Sequence, residues 1–369
     1  MYSLKNIEEQ LLNDPKKVVL KDKLKVFPKE LYNFKESLEI IDLSDNLLTE
    51  LPDDLHVFSK LKIIFLSNNP FEVLPEVLGK CSTLKMIGAK ACKINTIPSN
   101  SLPKSLKWLT LTDNKIKKIP SAIGDCKDIQ KLILSGNEIE EIPAEIVSCE
   151  NLELIRLASN KLEEFPSVLF SLPSLTWLAF SGNPFVKKIE SFQLIQFEKG
   201  DFEVEHELGN GASGIIYKVS TKENQKFALK VFKAGMTSDG SPEDELNHYL
   251  KVGSHPNLVT IIGEVNDFEK GKKAVLFDLI PSDYFNLGNS PSFDSCTRDV
   301  MKLDIRFSFS QVLSILNSIV SVCQLMHQKG VLHGDLYAHN ILAKADGSVY
   351  LGDFGAASSY DETFEAMHL

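Results

Sequence analysis

Asp335, Asn340 and Asp353 lie close together in this chain, in the runs His-Gly-Asp-Leu-Tyr-Ala-His-Asn and Asp-Phe-Gly. Transfer of a phosphoryl group from ATP needs few protein groups. An aspartate must orient the attacking hydroxyl, and an asparagine and a second aspartate must hold Mg2+. These residue types occur here in that order. Upstream, Gly209, Asn210, Gly211, Ala212, Ser213 and Gly214 form a glycine-rich run. Such a run lets backbone N–H groups approach phosphate oxygens without side-chain obstruction. Lys230 stands in the apolar stretch Phe-Ala-Leu-Lys-Val-Phe. A lysine in an apolar strand is unusual unless its ammonium has a task, and beside the glycine run that task is anchoring phosphate.

These groups act together only if secondary structure brings them together. Residues 202–208 alternate, and the glycine run is followed by Ile215, Ile216, Tyr217, Lys218 and Val219, which prefer β-structure. The run therefore predicts a hairpin, whereas a dinucleotide-binding fold would open a helix there. A helix is expected over 310–329, with Val312, Leu313, Leu316, Ile319, Val320, Cys323, Leu325 and Met326 at helical spacing and Gly330 as its stop. It reads as buried core. Residues 284–304 are rich in Ser, Asn, Asp and Pro and read as a long loop.

The order of glycine loop, strand lysine, His-x-Asp loop with asparagine, and Asp-Phe-Gly is similar to the eukaryotic-type protein kinase fold. The resemblance covers about residues 200–369. It implies an α+β domain with a complete N-lobe and a partial C-lobe. Gly209, Gly211 and Gly214 would cover the ATP phosphates, and Lys230 would hold the α- and β-phosphates. Its ion-pair partner would lie on a helix over 241–252: Glu245 is preferred, with Glu243 and Asp244 as rivals. His255, Pro256, Asn257, Leu258 and Val259 look like the turn into the fourth strand. Residues 275–280 look like the fifth strand and hinge, which assigns Phe277 and Asp278 to the nucleotide. Asp335 would be the catalytic base, and Asn340 and Asp353 would hold Mg2+.

The chain departs from the family pattern in two ways. Gly334 stands where arginine is usual, and Tyr337 where serine/threonine kinases carry a lysine. The form His-Gly-Asp-x-x-x-x-Asn also resembles small-molecule kinases of the aminoglycoside and choline type. The glycine loop and Asp-Phe-Gly favour a protein substrate, and the acceptor expected there is a Ser/Thr hydroxyl. The chain stops at Leu369, 14 residues after Gly355, with no Ala-Pro-Glu segment. The expectation is a fragment or truncated product of a repeat-containing kinase, or else an interaction protein whose kinase remnant is not catalytic.

The first half is repetitive. The pattern L-x-x-L-x-L-x-x-N starts at Leu38, Leu61, Leu84, Leu106, Ile129, Leu152 and Leu175, with spacings of 23, 23, 22, 23, 23 and 23. This is the period of leucine-rich repeats. The asparagine position holds Asn46, Asn69, Cys92, Asn114, Asn137, Asn160 and Asn183. Each asparagine can donate to backbone carbonyls of the neighbouring turn. Six repeats close on Pro52, Pro75, Pro98, Pro120, Pro143 and Pro166. One unit cannot bury its apolar face alone, and stacking supplies the missing wall. Residues 1–36 read as an N-terminal cap lacking a strand, 37–190 as about seven repeats, and 191–369 as the kinase-like domain. After Phe185 the repeat fails, with Lys188 and Ile189 replacing its closure; residues 186–200 read as a short join.

Ile40, Ile63, Met86, Trp108, Lys131, Leu154 and Trp177, with Phe65 and Ile133, occupy outward strand positions. They predict an exposed apolar stripe on the concave face that binds a protein partner. Cys81, Cys126 and Cys149 share one register and read as small buried hydrophobes rather than a redox ladder.

The bulk numbers are consistent with this architecture. At 369 residues, 43% hydrophobic and 24% charged, the chain can hold two or three domains with sizeable cores. A net charge of −10 argues against nucleic acid as a partner. The N-terminus shows no signal peptide, and no apolar stretch reaches the roughly 18 residues of a membrane helix. Six cysteines without a C-x-x-C pair fit a reducing cytoplasm.

Overall fold

In the computed structural model the described residues are 4–187, 189, 192–211, 213–233, 235–293, 295–296, 299–301 and 305–360. Ala212 and Lys188, both used above, lie outside them, as does the segment 361–369. The chain divides into two compact units, Met1–Leu178 with Asn183–Phe185, and Ala179–Gly182 with Val186–Leu369.

In the first unit each repeat contributes one three-residue strand to a parallel sheet whose order follows the sequence. Ile40, Ile63, Met86, Trp108, Lys131 and Leu154 stand in register across it. Leu38, Leu61, Leu84, Leu106, Ile129 and Leu152 are buried, as their spacing requires. The asparagines join the layers. Asn137 donates to Leu111 O and Leu134 O, both at 2.9 Å, and accepts from Ile116 N at 3.1 Å. Cys92 keeps part of this role by placing its Sγ 3.1 Å from Leu66 O. Pro75, Pro98, Pro120, Pro143 and Pro166 each precede a short 3-10 turn, where a missing N–H costs nothing.

Two expectations for this unit need correction. The cap has its own strand: helix Leu4–Asn13 leads into Lys17–Val19, which pairs in parallel with Ile40–Asp42. The concave stripe is not exposed as a whole. Ile63, Ile133, Lys131 and Leu154 are buried, while Ile40, Phe65, Met86, Trp108 and Trp177 are half-buried. In-register strands about 4.8 Å apart set large side chains against one another; the Lys131 ammonium lies 4.2 Å from the centre of the Trp108 ring.

Each repeat also turns through one left-handed residue just before the asparagine position: Asp45, Asn68, Ala91, Asp113, Gly136, Ser159 and Gly182. Ala91 adopts φ 55° without the local hydrogen bonding available to Asp or Asn. That conformation costs an L-residue about 1–2 kcal/mol, partly offset in a glycine variant by extra freedom of the unfolded chain. Ala91→Gly is therefore expected to stabilise the array by about 0.5–1 kcal/mol. Urea unfolding followed by tryptophan fluorescence checks this, since Trp108 and Trp177 both lie in the array. A lower midpoint at unchanged m-value would contradict the strain.

The second unit contains a six-stranded sheet in the order Glu203–Asn210, Gly214–Ser220, Lys226–Phe232, Ala274–Asp278, Ile261–Asn266, Gln196–Glu198. The join thus supplies the last strand, parallel to Ile261–Asn266. Helix Pro242–Val252 begins on Ser241, whose hydroxyl accepts from Asp244 N. Below the sheet, Phe285–Asn286, Ile341–Ala343 and Val349–Leu351 pair in one small sheet, and Val331–Leu332 pairs with Ser358–Ser359 in another. The stretch 284–304 is more structured than expected, because Gly288–Asn289 and Val300–Met301 form a further two-stranded ladder.

Helix Phe309–Gln328 opens with a capping box between Ser308 and Gln311. It buries Ile315, Ile319, Val322 and Met326 with Val331, Val349 and Leu351. Phe309, Val312, Leu313, Leu316 and Val320 are exposed instead of buried, so the helix is core on one face only. It carries no charge across 309–326, and an 18-residue window has mean hydropathy 1.5. By length and composition it does meet the requirement for a membrane span, which corrects the sequence reading.

Candidate functional site

The glycine loop is a hairpin. Glu203–Asn210 and Gly214–Ser220 run antiparallel, and Gly211 N donates to Gly214 O at 2.9 Å. Gly214 is needed by the fold itself: a Cβ there would lie 2.7 Å from Val231 O. Gly209 and Gly211 differ. Among the described residues, a Cβ at Gly209 meets nothing within 4 Å, and at Gly211 only Gly214 O at 4.0 Å. Neither has the positive φ that favours glycine. The space beside both is open, so their backbone can be approached without side-chain obstruction. Asn210 and Ser213 lie in the same turn, each bonded to Lys233: Ser213 O accepts from Lys233 N at 3.1 Å, and Asn210 Oδ1 accepts from Lys233 Nζ.

On the facing strand, Lys230 Nζ donates to Glu245 Oε1. Glu245 is thus the partner among the three acidic residues considered, and it is buried. Ser241 fixes the register: capping at that residue turns Glu245 toward the sheet, while Asp244 folds back onto the Ser241 hydroxyl at 2.8 Å. Burial pushes the Glu245 carboxyl up. The Lys230 ammonium pulls it down, and Asp353 and Asp239 push it up again. Glu245 thus pairs with Lys230 while two further carboxylates, Asp353 and Asp239, act on it, a local excess of negative charge that a further cation would relieve.

The catalytic loop is held by its own backbone and side chains. Asn340 Nδ2 donates to Asp335 O at 2.8 Å and to Asp335 Oδ2 at 2.9 Å. Those bonds use the amide nitrogen, so the amide oxygen is the atom suited to a hard cation. His333, also buried, accepts from Asp335 N at 3.3 Å and has Nε2 3.1 Å from Gly352 O. Gly352 N donates to Asn340 O at 2.9 Å. Asp353 follows at φ 56°, with Oδ1 accepting from Gly355 N at 3.2 Å. A Cβ on Gly355 would stand 3.1 Å from Asp353 Oδ1, 3.4 Å from Asp239 Cβ and 3.9 Å from Glu245 Oε2. The segment 352–355 is thus where the acidic groups meet.

Phe354 anchors this segment. It is fully buried, with its ring centre 4.6 Å from that of Tyr249 and 5.4 Å from that of His333. Tyr249 donates to Val259 O and packs edge-on against Phe277 at 6.0 Å. Phe277 therefore contributes a packed ring that reaches the helix. Asp278 is exposed, and its N–H donates to Thr260 O at 2.9 Å. It lines a separate cavity of about 280 Å3 with His255, Leu279, Ile280 and Tyr350, which Lys230, Asp335 and Asp353 do not border.

Residues 202–368 match the protein kinase domain family. Residues 37–58, 60–81 and 128–185 match leucine-rich-repeat families. Leucine-rich repeats precede a protein kinase domain. The kinase domain is 26% identical over 161 residues to a probable cyclin-dependent serine/threonine-protein kinase of Dictyostelium discoideum, covering 43% of this chain and 23% of that protein. It is 25% identical over 170 residues to human serine/threonine-protein kinase 10, covering 44% and 16% respectively. Against cysteine-rich receptor-like protein kinase 37 of Arabidopsis thaliana, identity is 27% over 175 residues, covering 46% and 25%. The chain thus spans a quarter or less of the length of these curated relatives. Among solved structures, a leucine-rich-repeat protein of Leptospira interrogans is similar at 28% identity and TM-score 0.36, covering 46% of this chain and 49% of that one.

A protein kinase domain works with a nucleotide and a divalent metal, and the residues present fit both. The unobstructed backbone at Gly209 and Gly211 leaves room for phosphate, and the Asn340 amide oxygen and Asp353 carboxylate are the oxygen donors such a metal takes. At the first departure from the family pattern, Gly334 adopts φ 74°, a conformation that would strain an arginine. At the second, Tyr337 lies beside His339, with ring centres 6.0 Å apart.

Sequence reasoning missed what steadies the loop from outside. Asp299 Oδ1 accepts from Ala338 N at 2.8 Å, Asn286 Nδ2 donates to His339 O at 2.7 Å, and Ser290 Oγ lies 3.3 Å from His339 Nε2. Residues from the stretch read as a loop therefore hold the two positions between Tyr337 and Asn340. Nothing in the spacing of Asp299 signals that contact. Lys233 and Asp239 were also missed, although Lys233 follows Lys230 by only three residues.

Proposed function

We propose that the kinase domain transfers the γ-phosphoryl group of ATP, with Mg2+, to serine or threonine hydroxyls of a protein substrate, and that the repeat array holds a protein partner. One observation carries this reading. Segment 352–355 connects the catalytic loop to the lysine pair: Gly352 bonds Asn340 and His333, while Asp353 acts on Glu245, which pairs with Lys230.

In this reading Asp335 orients the substrate hydroxyl and takes up its proton at the carboxylate. Asn340 keeps that carboxylate aligned through its amide nitrogen. Lys230, fixed by Glu245, meets the α- and β-phosphates, and the loop at Gly209 and Gly211 covers them. Asn340 and Asp353 hold Mg2+, which offsets charge on the phosphates when bound. Serine/threonine preference is supported by the serine/threonine-protein kinases among the relatives. Half-buried Trp108, Trp177, Met86 and Ile40 support partner binding by the array. Six free thiols suit a cytoplasmic protein.

A second reading, nucleotide binding without transfer, draws on Tyr337 in place of lysine. The test is transfer of labelled γ-phosphate by the full chain to itself and to a mixed protein substrate, beside Asp353→Asn. Transfer lost in the variant supports the kinase reading. Nucleotide binding without transfer by the unaltered chain selects the second reading, and equal transfer by both proteins rejects the assignment of Asp353.

A further inference from the structure

The turn that carries Asn340 is held from a distance. Ala338–Asn340 forms a 3-10 turn, and Tyr337 at its cap position takes no side-chain bond from it. Tyrosine lacks the short oxygen that Ser, Thr, Asp or Asn supplies at such a position. Asp299 supplies it instead, accepting from Ala338 N at 2.8 Å across 39 positions of the chain. The ladder between Gly288–Asn289 and Val300–Met301 delivers that carboxylate. Gly288 lies directly on the turn: a Cβ there would stand 2.8 Å from Ala338 Cβ and 3.2 Å from His339 N. Only glycine lets the ladder approach so closely. Two further bonds lock the contact, since Leu287 N donates to Ile341 O at 2.8 Å and Asn286 Nδ2 donates to His339 O at 2.7 Å.

We propose that Asp299 is a positioning residue for phosphoryl transfer, acting through Ala338 N on the turn that aims Asn340 at Asp335. The proposal rests on the kinase reading above and deepens it. Asn340 N donates to Tyr337 O at 3.0 Å and closes the turn, while Asn340 Nδ2 reaches Asp335 O and Oδ2. A carboxylate acceptor gives the Ala338 N–H a charge-assisted bond. Without that bond the start of the turn frays, and the amide that orients the Asp335 carboxylate loses its fixed direction. Lys230, Glu245 and the glycine loop stand on other elements, so loss of the Asp299 bond leaves them in place.

The experiment compares the full chain with Asp299→Ala and Asp299→Asn. It measures kcat for transfer to a mixed protein substrate, adenosine affinity and amide hydrogen exchange, all well below the unfolding midpoint. Asp299→Ala lowers kcat about tenfold, because small misplacement of an orienting group is costly. Its adenosine affinity stays within about twofold of the unaltered chain, since the loss falls on the transition state. Asp299→Asn keeps kcat within about threefold, because an amide oxygen caps as well as a carboxylate does. Exchange at Ala338–Asn340 quickens in Asp299→Ala alone, while helix Phe309–Gln328 keeps its protection.

Unchanged kcat in Asp299→Ala overturns the proposal and leaves the kinase reading standing. Equal loss in Asp299→Ala and Asp299→Asn also overturns it, because the charge and not the cap is then what matters. Loss of kcat with unaltered exchange across the turn does the same, since Asp299 then acts elsewhere. No transfer by the unaltered chain refutes the kinase reading and the proposal with it.

Discussion

Asp353→Asn is expected to lower phosphoryl transfer by about a thousandfold while leaving the domain folded. Asparagine is the informative replacement. Asp353 sits at φ 56°, where Asp and Asn are tolerated and alanine adds strain. Its Oδ1 accepts from Gly355 N at 3.2 Å, and an asparagine oxygen can do the same. What the variant loses is one negative charge at the position proposed for the metal. Charge neutralisation supplies most of the catalysis in phosphoryl transfer, because the protein does little covalent chemistry. The measurement is kcat for transfer alongside the unfolding midpoint. A loss of less than tenfold would remove Asp353 from the metal site, whereas a fallen midpoint would show that the carboxylate serves the fold.

The second large effect concerns pH. His248 lies on helix Pro242–Val252, three residues after Glu245, and is 2% exposed. Its Nδ1 is 2.6 Å from Asp244 O, and its buried Nε2 has no hydrogen-bond partner among the described residues. Burial pushes its pKa down to about 4, against the backbone bond to Asp244, and Lys251 lowers it further. In the unfolded chain the ring titrates near its ordinary 6.5. Above that pH both states are neutral and the group contributes nothing to pH dependence. As pH falls from 6.5 toward 4, the unfolded chain takes up a proton that the folded chain refuses, so stability is lost. The full difference amounts to about 3 kcal/mol. A proton NMR titration of the ring in the folded chain checks the cause directly, and a midpoint near 6.5 would contradict it. In His248→Leu the acid-side loss of stability should shrink by the same amount, even though that variant forfeits the bond to Asp244.

How much of this was legible in the sequence depends on the range of the interaction concerned. The repeat array was legible because its period is local. Each leucine and asparagine recurs at a spacing that places it on one side of a short strand, and the same contact is made repeatedly. The glycine hairpin, the strand of Lys230 and the capped helix were legible for the same reason. The order of Asp335, Asn340 and Asp353 identified the chemistry because few arrangements of those residue types suit a phosphate and a metal. Glu245 could be preferred over Glu243 and Asp244 but not fixed, since the choice depends on helix register, which the Ser241 cap sets.

Other features were not legible because they are set by contacts between distant parts of the chain. The helix Phe309–Gln328 was read as core throughout, yet Leu313, Leu316 and Val320 are exposed, because periodicity shows a face to be apolar without showing what packs on it. The concave stripe failed in the opposite sense, since Ile63, Lys131 and Leu154 are buried. Asp299 reaches Ala338 across 39 positions through a segment whose composition signalled only a loop.

The sequence by itself determined the two architectures, their order, and the residue types that can handle phosphate and a divalent metal. Those follow from backbone preference, period and the chemistry of side chains. Only the tertiary structure decided that Glu245 pairs with Lys230, that segment 352–355 ties the acidic groups to the catalytic loop, and that Lys233 bonds the glycine loop. Each of those depends on two elements meeting at a fixed distance and angle, and no local pattern in a chain encodes that.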